Sequence, residues 1–221
     1  MCAPAARGSK AKTPVAKSIT LSGYFIDPGD AGMARPLSPQ KQAALLDAAV
    51  AIIAESGLSA TTASIAKRAE VAVGTLFTYF PTKDQLLNEV YLKLKQDMSD
   101  LLVAGYPKEA DFRTQIVHIW RGYTEWALKN PEGKQVLRLL TVSDLLTSET
   151  LSSTPEALNQ ADKMFDEAIK QSLFVTDSKT FIYAIIQNIS DATSEQIVRH
   201  PADKEKLLQL GFRMMWNAIS A

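Results

Sequence analysis

One cysteine, Cys2, and two histidines, His118 and His200, are all that the 221-residue chain carries of those residue types. A lone cysteine excludes an internal disulfide and fits a reducing, cytoplasmic setting. Soft ligands are few, and HExxH, GxSxG and phosphate-loop patterns are missing, so the chain is not read as an enzyme and no metal or cofactor is expected. Asp144 and Glu149 fall near a helix end at a spacing too commonplace for an acid–base pair, and His118 reads as a polar surface or pocket residue. Charge of one sign is lacking as well: 24 Lys+Arg stand against 24 Asp+Glu. Positive charge is only local, with five basic and two acidic residues in 1–37 and three basic and one acidic in 61–83. No apolar run approaches the roughly 18 residues a bilayer-spanning helix needs, and the start has no signal-type apolar core. A soluble intracellular protein is expected.

What the chain does have is helical periodicity. No strand-type run and no internal repeat interrupts it, so the fold class is all-α, with about nine helices. Residues 1–36 mix Ala, Pro, Gly, Ser and Lys without a period and read as a flexible tail. That tail is taken as inert, with Lys10, Lys12 and Lys17 as a basic arm the alternative. Ser38-Pro39 opens the first helix as cap and first-turn proline; Leu45, Ala48, Ala49, Ile52 and Ile53 make its apolar stripe and Gly57 ends it. A long helix is expected over 83–103, a second over 109–129, and a third from Pro131 to Leu146 with Asn130 as its cap. Residues 148–153 read as a polar connection. Thr154-Pro155 opens a helix reaching Leu173, and two more span 178–199 and 202–220.

The chain is organised around residues 61–83, TTASIAKRAEVAVGTLFTYFPTK. Thr61 caps a helix whose inner face is Ile65, Ala66 and Ala69. Val71 breaks that rhythm, and a second short helix starts near Val73. Its buried side is Leu76 and Phe80, while Thr75, Thr78 and Tyr79 occupy the other. So short a helix needs a scaffold, and small or hydroxyl residues on the free side suit close approach to a DNA major groove. Pro81 stops it; Thr82-Lys83-Asp84 starts the next helix, whose first amides with Lys83 favour a phosphate.

The run I-A-x-x-A-x-V-x-x-G-T-L-F-x-Y-F-x-x-K-D-x-L resembles the helix-turn-helix of the tetracycline-repressor (TetR) family, and stretches beyond it, including Ile119-Trp120 and Met215-Trp216, resemble its Ram-type multidrug-responsive branch. The resemblance implies a helix-turn-helix domain over 37–82 and an effector-binding and dimerisation domain over 83–221. It implies phosphate contacts by Thr62, Thr75, Tyr79 and Lys83, base reading by Val73, Gly74 and Thr78, and added contacts from Ser64 and Lys67. Glu70, Ala72 and Phe77 depart from the family's usual glycine, serine and tyrosine. Glu70 must therefore avoid a left-handed backbone or bear its strain.

Two further features bear on partners. The last two expected helices are apolar on more than one face, which fits a homodimer built on a four-helix bundle and hence a palindromic double-stranded DNA operator. An aromatic set of Tyr91, Trp120, Tyr123, Trp126 and Tyr183 reads on periodicity as ordinary core. The resemblance instead places Tyr91, Lys95 and Trp120 at ligand-contacting positions, with Ile116 and Tyr123 nearby. Tyr183 stands where that pocket has an acid and Ile186 where it has a phenylalanine. A small hydrophobic or aromatic effector is expected. The rival reading, a helical adaptor for protein partners, needs an apolar outward face on the second short helix.

Overall fold

The computed structural model describes residues 37–221 apart from Thr154 and the side chains of Glu156 and Ala157. The tail over 1–36 and the Thr154 cap therefore lie outside the described residues. Leu37–Ala221 forms one compact unit of ten α-helices: α1 Pro39–Ser56, α2 Thr62–Arg68, α3 Val73–Tyr79, α4 Lys83–Val103, α5 Phe112–Lys129, α6 Pro131–Thr141, α7 Ser148–Ser152, α8 Glu156–Lys170, α9 Lys179–Arg199 and α10 Lys204–Ile219. The fold is all-α among the described residues. One isolated antiparallel bridge, Phe174 with Ser220, ties the chain end to the α8–α9 connection.

Side-chain caps fix most starts. Ser38 Oγ accepts from Lys41 N–H, Thr61 Oγ1 from Ser64 N–H and Thr82 Oγ1 from Gln85 N–H, each satisfying a donor with no helical partner. α5 starts later than the expected residue 109 because Asp111 is the cap. Its carboxylate accepts from the Thr114 hydroxyl at 2.7 Å and the Thr114 amide at 3.0 Å, and these bonds hold it below the usual carboxylate range. Asn130 precedes α6 but makes no side-chain cap bond; its amide donates instead to Trp126 O.

α6 stops at Thr141 rather than running to Leu146, and the expected polar connection contains α7. The cause is distant in sequence. Asn88 on α4, 7% exposed, donates to Leu145 O at 3.0 Å and accepts from Thr147 N–H at 3.0 Å. A buried amide that recruits two backbone groups of the connection competes with continued helix, and Thr147 then caps α7 through Thr150 N–H.

The apolar interior falls into two clusters. One gathers α1 to α4, α6 and the end of α5 around Leu45, Ile53, Ile65, Leu76 and Leu87. The other gathers α5, α8, α9 and α10 around Ile116, Trp120, Phe165, Ile182 and Met215. By length and composition the run Pro39–Ser59 passes as a membrane span, against the expectation that no stretch does, because small alanines raise its average without forming one long apolar run. In the fold it belongs to the core, with Leu45, Ala49 and Ile53 at 0% exposure.

α9 and α10 come close together at Gly211, where a Cβ would lie 2.2 Å from Thr193 Oγ1 and 3.0 Å from Trp120 Cζ2. Thr193 cannot easily turn away, since its hydroxyl donates to Ile189 O at 2.7 Å. Gly211→Ala should therefore cost about 1–3 kcal/mol through overpacking. Urea unfolding checks this: the midpoint falls in the variant, and an unchanged midpoint contradicts the close packing.

Candidate nucleic-acid interface and effector region

α3 has seven residues, too few to persist in water unaided. Leu76 at 0% and Phe80 at 2% exposure pack it against the first apolar cluster. Gly74, Phe77 and Thr78 are exposed, with Thr75 and Tyr79 half-buried at the margins. Val73 is 39% and Phe77 41% exposed. The outward face is thus more apolar than the hydroxyl pattern suggested.

The turn before α3 answers the question posed by Glu70. Its φ is 54°, so a non-glycine residue adopts the left-handed conformation. The closure is a Schellman motif: Val71 N–H donates to Ala66 O at 3.0 Å and Glu70 N–H to Lys67 O at 3.2 Å. Two satisfied carbonyls and the half-buried Val71 hold the strained residue in place. Ser172, φ 55°, ends α8 in the same way, with Leu173 N–H on Ala168 O and Ser172 N–H on Ile169 O.

Two expected phosphate contacts make internal bonds. Tyr79 Oη accepts from Ser38 N–H at 2.9 Å, which leaves its own proton free to donate outward. Lys83, the first residue of α4, donates from Nζ to Leu58 O at 2.8 Å, using one of its three donors on the turn after α1. Thr62 and Ser64 are half-buried at the start of α2, and Ser64 Oγ donates back to Thr61 O. Lys67 is exposed, and Arg68 lies 3.6 Å from Glu55. Thr78 Oγ1 donates to Gly74 O at 2.9 Å.

Residues 45–90 match the family model for bacterial regulatory proteins of the tetR family, a stretch that runs from α1 into α4. These helices form a tetR-type helix-turn-helix domain. Solved structures of tetR-family transcription regulators share the fold of the whole helical unit. One from Shewanella sp. PV-4 is 24% identical with a TM-score of 0.69, over 82% of this chain and 98% of that one. One from Marinobacter aquaeolei VT8 is 21% identical with a TM-score of 0.70, over 81% and 95%. One from Haemophilus influenzae Rd is 19% identical with a TM-score of 0.67, over 85% and 100%.

The aromatic set expected as one cluster is divided between the two cores. Tyr91, Tyr123 and Trp126 belong to the core shared with the tetR-type domain, whereas Ile116, Trp120, Tyr183 and Ile186 belong to the other. Ile116 and Trp120 are each 2% exposed, and Trp120 Nε1–H donates to Leu208 O at 3.3 Å. Both are packed interior. Periodicity places residues on a face, but which neighbouring helix covers that face is a tertiary fact. An open cleft of about 410 Å³ at the α1–α4–α6 seam is lined by Asp47, Lys93, Asp97, Lys129 and Glu132 and by none of those aromatics.

A polar set joins α4, α8 and α9, and the sequence did not signal its members Asp162, Asp166 and Lys179. Lys95 Nζ sits 5.6 Å from the Tyr91 ring centroid, and burial lowers its pKa, partly offset by Asp162. Asp162 accepts from Tyr183 Oη and from Lys179 Nζ, each at 2.8 Å, and Lys179 reaches Asp166 at 2.7 Å. Burial raises the Tyr183 phenol well above its usual range, and the Asp162 bond adds to it.

Glu70→Gly tests the turn. It removes a left-handed penalty of about 1–2 kcal/mol and adds about 0.5–1 kcal/mol of backbone entropy to the unfolded chain. A net stabilisation of about 0.5–1 kcal/mol is expected as a higher urea midpoint. A lower midpoint would mean the Glu70 side chain itself stabilises the turn.

Proposed function

We propose that the protein is a DNA-binding transcription regulator, a homodimer that represses from a palindromic operator and is released by a small hydrophobic effector. The observation that carries this reading is the pairing within α3 of a fully buried side, Leu76 and Phe80, with a free side of glycine, threonine and apolar residues beside the exposed Lys67. A short helix fixed along one side and close-approaching on the other suits a major groove. Thr62, Thr75, Tyr79, Lys67 and Lys83 flank it as phosphate donors, with Ser64 beside them; Val73, Gly74 and Thr78 face the bases.

Dimerisation is supported by apolar side chains left outside on the last two helices. Phe181 on α9 is 58% exposed, and Leu210 and Met214, one turn apart on α10, are 38% and 57% exposed. Covering such a stripe with its copy would form a two-fold bundle.

The effector reading rests on Tyr91, Lys95, Tyr183 and their acids. Two ammonium groups, Lys95 and Lys179, meet two carboxylates, Asp162 and Asp166, so a ligand there need bring no net charge. Tyr123 and Ile186 are half-buried and stand close enough to the surface of their cores to be reached. The Ram-type affinity is not part of this reading, because Ile116 and Trp120 are closed in. They would meet a ligand only by repacking. Release requires the effector to favour a tilted α4 over the DNA-bound arrangement.

The alternative is an adaptor that docks a protein on α3, and the exposure of Val73 and Phe77 favours it. Salt separates the two. As a repressor, the protein should bind DNA from upstream of its own gene with log affinity falling against log salt at a slope of about −3 to −4, for Lys67 and Lys83 in each half of a dimer. Lys67→Ala should flatten that slope by about 2, and Phe181→Glu with Met214→Glu should give monomers that lose the operator. Binding insensitive to salt, or none, supports the adaptor.

The effector is tested by dye release of operator DNA. Tyr91→Ala should keep operator affinity and lose the response to flat hydrophobic dyes. A variant that responds like the parent removes the effector from this region.

A further inference from the structure

α3 reads V-G-T-L-F-T-Y and contains no arginine, lysine, asparagine, glutamine, aspartate or glutamate. In the major groove, guanine is read by two-point contact from Arg or Lys, adenine from Asn or Gln, and cytosine by an acidic acceptor. None of these readers is available on this helix. The full cations of α2, Lys67 and Arg68, lie in its last turn, and Arg68 is drawn to Glu55 at 3.6 Å.

What the helix does offer is apolar. Val73 and Phe77 are spaced one turn apart, 39% and 41% exposed. Beside them Gly74 has nothing within 4 Å of where a Cβ would be, so a partner surface can come close. The Thr78 hydroxyl proton is committed to Gly74 O. That leaves Thr78 with an acceptor oxygen and a methyl, and no donor to direct at a base. Leu76 and Phe80 are buried and cannot take part.

One apolar group is displayed on base edges in the major groove, the C5-methyl of thymine. We propose that α3 reads its operator through thymine methyl groups, with Phe77 and Val73 as the residues that determine specificity. The operator half-sites therefore carry A·T pairs beneath those two side chains. This rests on the operator-binding reading above and adds the chemistry by which sequence is told apart. It also gives a reason for two large apolar side chains to stand exposed on a helix whose other apolar residues are buried: they are covered by base methyls when DNA is bound.

The experiment is an in vitro selection of operator DNA with the full-length protein, followed by atomic substitution in the selected duplex. Each thymine is replaced by deoxyuridine, which removes only the methyl. Affinity is measured at one salt concentration for the parent protein, Phe77→Ala and Val73→Ala, with thermal unfolding to show that the variants fold. Losing one buried methyl should weaken binding about fourfold, and about fifteenfold when both half-sites are changed. Deoxyuridine beneath Phe77 should make no further difference to Phe77→Ala, and 5-methylcytosine paired with guanine there should recover part of the parent's affinity. The proposal is overturned if deoxyuridine throughout leaves affinity unchanged, or if Phe77→Ala and Val73→Ala keep the full deoxyuridine penalty at every position. In either case salt-dependent binding still upholds the regulator. Failure to select any DNA overturns both.

Discussion

The rest of the structure depends on the burial of one side of a seven-residue helix. α3 has no capping side chain at its start, and its length gives it no stability of its own. Leu76 and Phe80 supply what holds it, each contributing on the order of 1.5–3 kcal/mol by leaving water. That contribution exists only if α1, α2 and α4 already form the surface that receives them. The strained Glu70 turn follows from the same constraint. α2 must end abruptly so that α3 can leave at an angle, and the Schellman closure accomplishes this with a residue that disfavours the conformation. A strain of about 1–2 kcal/mol is tolerable because two buried aromatic or aliphatic side chains are at stake downstream of it.

The same constraint ties the tetR-type domain to the helical body. α1, the brace beneath α3, is held from several sides. Lys93 on α4 reaches Asp47 on α1 at 3.3 Å and Asp97 at 2.7 Å. Gln135 on α6 donates to Ala54 O at 3.0 Å, and Lys83 at the head of α4 donates to Leu58 O at 2.8 Å. α4 therefore cannot tilt without pulling on the helix that carries α3, nor can α6 shift without dragging a carbonyl of α1. In the proposed regulator these bonds are the mechanical route from effector to groove. They are few and polar, and the Lys83 and Lys93 bonds are part-buried.

How much of this was legible in the sequence depended on range. Ser38-Pro39, Thr61 and Thr82 announced their helices because a cap acts within three residues of itself. The buried pair Leu76 and Phe80 followed from a period of 3.6, as did the outward placement of Thr78. Glu70 was marked as a position of conflict, and the structure resolves it in favour of strain. What was not legible is long-range. Asn88 pins the connection after α6 from 57 residues away, and no local pattern records that. Nor does a local pattern record the bonds of Lys83 to Leu58 and of Tyr79 to Ser38, which cross 25 and 41 residues and leave each side chain a donor. The aromatic set read on periodicity as core, and only the resemblance put Tyr91 and Trp120 in one pocket. It became two cores because α5 lays Trp126 toward Leu94 and Trp120 toward α10, where Gly211 leaves room for the indole.

The absence of net charge takes on meaning once the outward side of α3 is known. A neutral chain gains little long-range attraction from a polyanion, and the free cations beside α3 are few. Affinity for DNA in such a protein must come from short-range fit, repeated. In the proposed regulator the exposed apolar residues on α3 would supply fit, and the exposed stripe on α9 and α10 would supply repetition by pairing two copies. Each half-site then acts at the effective concentration set by the other. The two apolar surfaces would then act as one device. Neither Phe77 and Val73 nor Phe181, Leu210 and Met214 is explained by the fold of a single protomer, since none of them contributes to its core. Loss of the stripe would leave the fold intact and reduce DNA binding to that of one weakly charged half.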